Sequence, residues 1–208
     1  MFAIVRALIH GSSIEELHQK THIDPFFLEK IAHIVKVGQE LTQTKTVEKE
    51  LLLNAKKCGF SDKQIARMRK EEESSIRTLR TTHDIRPTVN HIDTLGGEFP
   101  SETNYLYTTY HGIPNTLSNP HSGKEKVLVI GSGSYRIGSS VEFDWCSVSA
   151  IEALKSMGYE TVILNFNPET VSTDFDTADT LYFDEISVES ILEIFRIEQP
   201  IGVIISMG

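Results

Sequence analysis

KVLVIGSGSYRIGSSVEFDWCSVSAIEALKSMGYETVILNFNPE, residues 126–169, is the stretch from which the architecture can be read. Lys126 to Ile130 is an apolar run of strand length. A glycine-rich turn follows, then a helix-length segment through Leu154 to Met157, then a second strand from Thr161 to Asn165. A strand that returns to the same direction after a helix pairs in parallel with the first, so this is a βαβ unit. Downstream, Leu181 to Phe183 reads as a third strand, Val188 to Ile197 as a helix and Ile201 to Ser206 as a fourth strand. Residues 125–208 are therefore expected to form an open parallel α/β sheet.

Upstream the periodicity changes to three and four residue steps, the mark of helices. Ser13 to Glu16 has capping-box spacing before Leu17. Asp24 and Pro25 place an N-cap and a first-turn proline ahead of Phe26, Phe27, Leu28, Ile31, Ile34 and Val35. Thr46 is expected to open a third helix through Leu51, Leu52 and Ala55, which Gly59 ends just after Cys58. Ser61 with Gln64 restarts the pattern. Residues 1–85 are read as an all-helical bundle. From Arg86 to Lys124 the pattern fades into prolines and glycines interleaved with Tyr105, Tyr107 and Tyr110. Residues 86–124 are read as a linker whose aromatics pack on both domains.

Composition narrows the function classes. Net charge is −9, with 39% hydrophobic and 24% charged residues, ordinary for a globular chain. Residues 1–90 hold 15 Lys/Arg against 12 Asp/Glu and residues 91–208 hold 5 against 17; such a balance disfavours general nucleic-acid binding. Lys63, Arg67, Arg69 and Lys70 imitate a DNA-reading helix, yet Glu71 to Glu73 lie beside them, and a solvated face is the better reading. No apolar run is long enough to cross a membrane, and no targeting segment is visible. Two cysteines, Cys58 and Cys146, make no disulfide framework, and a reducing, cytoplasmic setting is expected. The eight histidines show no metal-ligand spacing.

Three constellations could carry chemistry. Gly131 to Gly138 lies between a strand and a helix, where backbone amides cradle anions. It departs from a dinucleotide fingerprint, offering Arg136 at the sixth position and Asn165 where an acid would hold a ribose, and it lacks the lysine of a Walker loop. A ligand-free tight turn and a small nucleotide-binding sensor both remain open. Glu142 and Asp144 beside Trp145 could simply complement a helix dipole. Asn165 to Asp176 is a run of acceptors too dense for one turn. Since strand carboxyl ends form the ligand rim of open α/β sheets, the two loops should lie side by side. The rim set is Gly131, Gly133, Arg136, Gly138, Asn167, Thr170, Thr173 and Asp174.

Taken together, GSGSYRIGSSVEFDWC (131–146), NPETVSTDFD (167–176) and LYFDE (181–185) resemble the carbamoyl phosphate synthetase large subunit, at the opening of its second synthetic half. IDPFFLEKI, CGFSDKQIA and Ile92-Asp93-Thr94 with Tyr105-Leu106-Tyr107 are similar to that family's connecting, or oligomerization, domain. The wording YRIGSSVEFDWC resembles the eukaryotic pyrimidine-pathway enzymes more than the bacterial forms, where a different aromatic replaces Trp145. The resemblance implies a helical domain followed by a Rossmann-like pre-ATP-grasp domain, here truncated. It implies a ligase making carbamoyl phosphate from bicarbonate, glutamine-derived ammonia and two ATP, in which Glu142 and Glu169 match carboxylates lining a carbamate tunnel. ATP with Mg2+ or Mn2+ would bind mainly outside this segment, and the isolated chain is expected to be inactive and metal-free. Implied partners are the remainder of the large subunit, a glutamine amidotransferase and further copies of the chain, with neither nucleic acid nor membrane; the parent could also be mitochondrial.

Overall fold

A computed structural model of the chain describes residues 1–99, 103–112, 123–133 and 142–205, the side chains of Glu142 and Phe143 excepted. The described residues hold eight α-helices and one mixed, mostly parallel six-stranded sheet. The chain divides into two compact units, Met1–Arg86 and Pro87–Gly208.

The first unit contains α1 (Phe2–Ile9), α2 (Ile14–Thr21), α3 (Pro25–Gln43), α4 (Lys49–Lys57), α5 (Asp62–Arg69) and α6 (Glu73–Thr82). Local chemistry fixes most of their ends. Ser13 with Glu16 and Ser61 with Gln64 form reciprocal capping boxes, and Asp24 caps α3 with Pro25 in its first turn. Gly59 follows the end of α4 with φ +88, a left-handed conformation that glycine adopts freely. The expected start of α4 at Thr46 moves to Glu48. Thr46 instead accepts a bond from the Thr44 hydroxyl through its carbonyl, and Val47 is buried ahead of buried Leu52, at the spacing of a hydrophobic staple.

Leu28, Leu41, Leu52, Ile65 and Ile76 fill the interior of this unit. Among them sits an ionic cluster: the Asp62 carboxylate meets Lys56 Nζ at 3.1 Å and Arg80 Nε at 3.0 Å. Arg80 also donates to the carbonyl of Ile85. Arg69 donates to the carbonyls of Leu41, Thr44 and Lys45, satisfying acceptors left at the C-terminus of α3. One residue of the supposed basic face is thus occupied in packing.

In the second unit β1 (Thr88–His91), β2 (Tyr105–Thr109), β3 (Lys126–Ile130), β4 (Glu160–Asn165), β5 (Thr180–Phe183) and β6 (Gly202–Ile205) stand in the order β1-β2-β5-β4-β3-β6. Only the β1–β2 pairing is antiparallel. The stretch 86–124, read as linker, therefore supplies two strands, with Tyr105 and Leu106 in register with Leu181 and Tyr182. Helix α7 (Glu142–Ser156) connects β3 to β4, and α8 (Val188–Glu198) connects β5 to β6.

Alternation along the strands gives the sheet two apolar faces. Val127, Val129, Ile163 and Leu181 pack with Ile151 and Leu154 of α7. Leu128, Val162, Leu164 and Tyr182 pack on the other side with Ile194 of α8. The strand order reverses at β3, since β4 lies to one side of it and β6 to the other. At such a reversal the connections leave in opposite directions and a crevice opens at the carboxyl ends.

Candidate functional site: the rim beyond β3 and β4

Among the described residues, the start of the first loop, 131–133, lies against the start of the second. Gly131 N–H donates to the Leu164 carbonyl at 2.8 Å, and Phe166 N–H donates to the Ser132 carbonyl at 3.4 Å. A Cβ on Gly131 would stand 2.9 Å from Asn165 Nδ2 and 3.1 Å from the Leu164 carbonyl oxygen. Glycine is required there by the approach of β4, without appeal to a ligand. Gly133 differs, because among the described residues nothing lies within 4 Å of a Cβ built on it. Arg136 and Gly138 lie outside the described residues, as does the side chain of Glu142, whose backbone opens α7.

Fully buried Asn165 organises the second loop. Its Nδ2 donates to the Ser172 hydroxyl at 2.9 Å and to Thr170 Oγ1 at 3.3 Å, while its Oδ1 accepts from Asn167 N–H. Asn167 Oδ1 in turn accepts from Glu169 N–H at 2.9 Å. Thr173 donates to the Thr170 carbonyl and accepts from Thr170 N–H. From α7 the buried Asp144 carboxylate takes both the backbone N–H and the hydroxyl of Ser172.

Asn167, Thr170 and Thr173 thus turn inward and hold the loop, whereas Glu169 and Asp174 remain exposed. Asp144, Asn165 and Ser172, which the sequence places in these constellations but not in the rim set, join Asn167, Thr170 and Thr173 in building the loop. Asp144 does more than complement a helix dipole. The density of hydroxyl and amide side chains between 165 and 173 was the one available signal, because such residues can satisfy each other only in a closed turn.

Fold and rim together define an open α/β domain with a hydrogen-bonded polar loop beside its topological switch point, in a chain that also holds a helical unit. Residues 123–208 match the carbamoyl phosphate synthase preATP-grasp domain, and residues 1–84 match the carbamoyl-phosphate synthetase large chain oligomerisation domain. The chain belongs to the carbamoyl phosphate synthase large-chain family. It is 48% identical over 210 residues to the mitochondrial arginine-specific large chain of Neurospora crassa, covering 99% of this chain and 18% of that protein. It is also 48% identical over 213 residues to the multifunctional protein CAD of Squalus acanthias, covering 100% and 9%. The multifunctional protein ura1 of Schizosaccharomyces pombe is 45% identical over 210 residues, again covering 100% and 9%. The chain spans between 9% and 18% of the length of these relatives.

Proposed function

We propose that the chain serves as a segment of a carbamoyl phosphate synthase, a helical oligomerisation domain followed by a Rossmann-like pre-ATP-grasp domain whose loops border the path of a reactive intermediate. The observation that carries this reading is the bonded loop from Asn165 to Thr173. It holds the backbone of Glu169 fixed while leaving its carboxylate exposed, on the rim where Glu142 opens α7. A fixed acid on a wall can accept or return a proton to carbamate in transit, and a closed passage excludes the water that would destroy it. Neither acid needs to act as a nucleophile.

Among the described residues no group of three or more His, Cys, Asp or Glu is placed to hold a metal ion. We assign ATP and Mg2+ or Mn2+ mainly to the remainder of the large subunit. That remainder and a glutamine amidotransferase are the partners of this reading, in the cytoplasm or, for a mitochondrial parent, in that compartment. Self-association is assigned to the helical unit, where Phe2, Phe26 and Phe27 are exposed large aromatics.

The test uses the full-length enzyme. Glu142→Lys and Glu169→Lys should each keep bicarbonate-dependent ATP hydrolysis while lowering the carbamoyl phosphate formed per ATP, because a long cation blocks the passage. An unchanged yield per ATP in both variants would remove the tunnel role.

A further inference from the structure

Asp144 joins the two elements that carry the acids. It lies two residues beyond Glu142 in the first turn of α7, and its carboxylate accepts the Ser172 backbone N–H at 3.2 Å and the Ser172 hydroxyl. The Ser172 hydroxyl oxygen in turn accepts from Asn165 Nδ2 at 2.9 Å. Asn165 Oδ1 accepts from Asn167 N–H, and Asn167 Oδ1 accepts from Glu169 N–H. An unbroken chain of hydrogen bonds therefore runs from α7 to the backbone of Glu169. Asp144, Ser172, Asn165 and Asn167 are all buried, so each link is made in a low dielectric, where it is strong and its loss is felt by the next.

Two donors on one residue call for two acceptor oxygens, which a carboxylate supplies and an amide does not. The first turn of a helix also favours the negative charge placed there. The same pairing occurs elsewhere in this sheet: the Asp179 carboxylate accepts the backbone N–H and the hydroxyl of Thr161, at 2.8 Å and 2.7 Å. That second pair sits at the amino ends of β4 and β5. Thr161 is four residues, roughly 13 Å, back along β4 from Asn165, so it ties the strands together away from the rim.

We infer that Asp144 is a positioning residue of the carbamate passage. By holding Ser172 it fixes the spacing between the first turn of α7 and the loop 165–173, and so between the backbones that carry Glu142 and Glu169. This rests on the reading of those two acids as walls of the passage. Asp144, buried as it is, acts through Ser172 and not on the intermediate itself. Without the bond the two walls part, water enters beside an intermediate that water destroys, and ATP is hydrolysed without product.

The full-length enzyme tests this through the carbamoyl phosphate formed per ATP hydrolysed. Asp144→Asn should lower that yield by about twofold or more, since displacements of about 1 Å already misplace groups in a reacting site. Ser172→Ala should lower it as well, and the double variant no further than Asp144→Asn alone, because both substitutions act on one contact. Asp179→Asn breaks the same kind of pairing at the other end of β4 and should keep the parent's yield. If Asp144→Asn does not fold, as judged by circular dichroism, Ser172→Ala carries the test in its place. A parental yield from the Asp144 variant, with Glu169→Lys still lowering it, would overturn the inference and leave the passage standing. So would an equal loss from Asp179→Asn, because the effect would then be one of stability alone. Unchanged yield in both Glu142→Lys and Glu169→Lys would remove the passage, and the role of Asp144 with it.

Discussion

Asp144, in the first turn of α7, holds Ser172 from two directions, its carboxylate accepting both the backbone N–H and the side-chain hydroxyl of a residue 28 positions further along. Both residues are buried, so neither donor has water as an alternative. Asp144→Asn leaves one carbonyl oxygen for two donors and aims an amide at one of them. It should cost about 1–3 kcal/mol, more than Ser172→Ala, which keeps the backbone N–H bond to Asp144 and leaves the Asn165 amide Thr170 Oγ1 as acceptor. Urea unfolding measures the difference, and limited proteolysis should show new cleavage between residues 166 and 176. Equal midpoints for Asp144→Asn and the parent chain would mean that the loop is held by other contacts.

Gly131 and Gly133 make a paired prediction. Gly131→Ala drives a methyl group into the Asn165 amide and a backbone carbonyl, and it should destabilise by about 1–3 kcal/mol as the ends of β3 and β4 are pushed apart. Gly133→Ala meets no described residue within 4 Å and should shift the thermal midpoint little. A Gly131→Ala protein as stable as Gly133→Ala would show that the closeness of the two strands is not a packing requirement.

What the sequence disclosed follows the range of the forces involved. Capping at Ser13, Asp24 and Ser61 rests on bonds spanning two or three residues, and it is legible from spacing alone. The same holds for β3 and β4, whose fully buried residues form continuous apolar runs. Strands β1 and β2 escaped because they are half-buried and carry no strict alternation. What makes Tyr105 and Leu106 a strand is pairing with Leu181 and Tyr182, far along the chain. The site divides in the same way: Asn167 and Thr170 were visible as polar loop residues, but their inward direction depends on Asn165 and on Asp144 arriving from another element.

Buried charge in the helical unit offers a larger effect. Asp62 stands between Lys56 and Arg80, all three almost fully enclosed. Asp62→Ala leaves two cations without their shared carboxylate and should cost about 3–5 kcal/mol. The helical signal in circular dichroism should melt at a correspondingly lower temperature. Glu71→Ala is the matched surface control: its pair with Arg69 is partly exposed, and its loss should cost no more than about 1 kcal/mol. Similar losses from the two variants would contradict the assignment of Asp62 as the keystone.

A second enclosed network, under α8, predicts how stability depends on pH. Lys126 Nζ lies 2.7 Å from Glu198 and 3.5 Å from Glu160, and the Tyr182 hydroxyl donates to Glu198. Burial alone would lower the lysine, but the bond and charge of Glu198, with Glu160, outweigh it and raise Lys126 above its ordinary 10.5. Burial, reinforced by the negative charge of Glu198 and the bond to it, raises Tyr182 far above its ordinary 10.0. In both cases the folded state keeps a proton that the unfolded chain releases, so the contribution is complete below pH 10.0 and is lost as pH rises beyond it. Each group can add a slope of up to about 1.4 kcal/mol per pH unit in that window. The urea midpoint should hold steady from neutral pH to about 9 as far as this pair is concerned, then fall steeply. Tyr182→Phe should make the alkaline fall shallower by one proton. Lys126→Met should do the same, while also costing several kcal/mol at neutral pH by leaving Glu198 and Glu160 without their cation. If Tyr182→Phe and the parent chain lost stability along the same alkaline slope, the phenol would not be the proton holder that its surroundings make it.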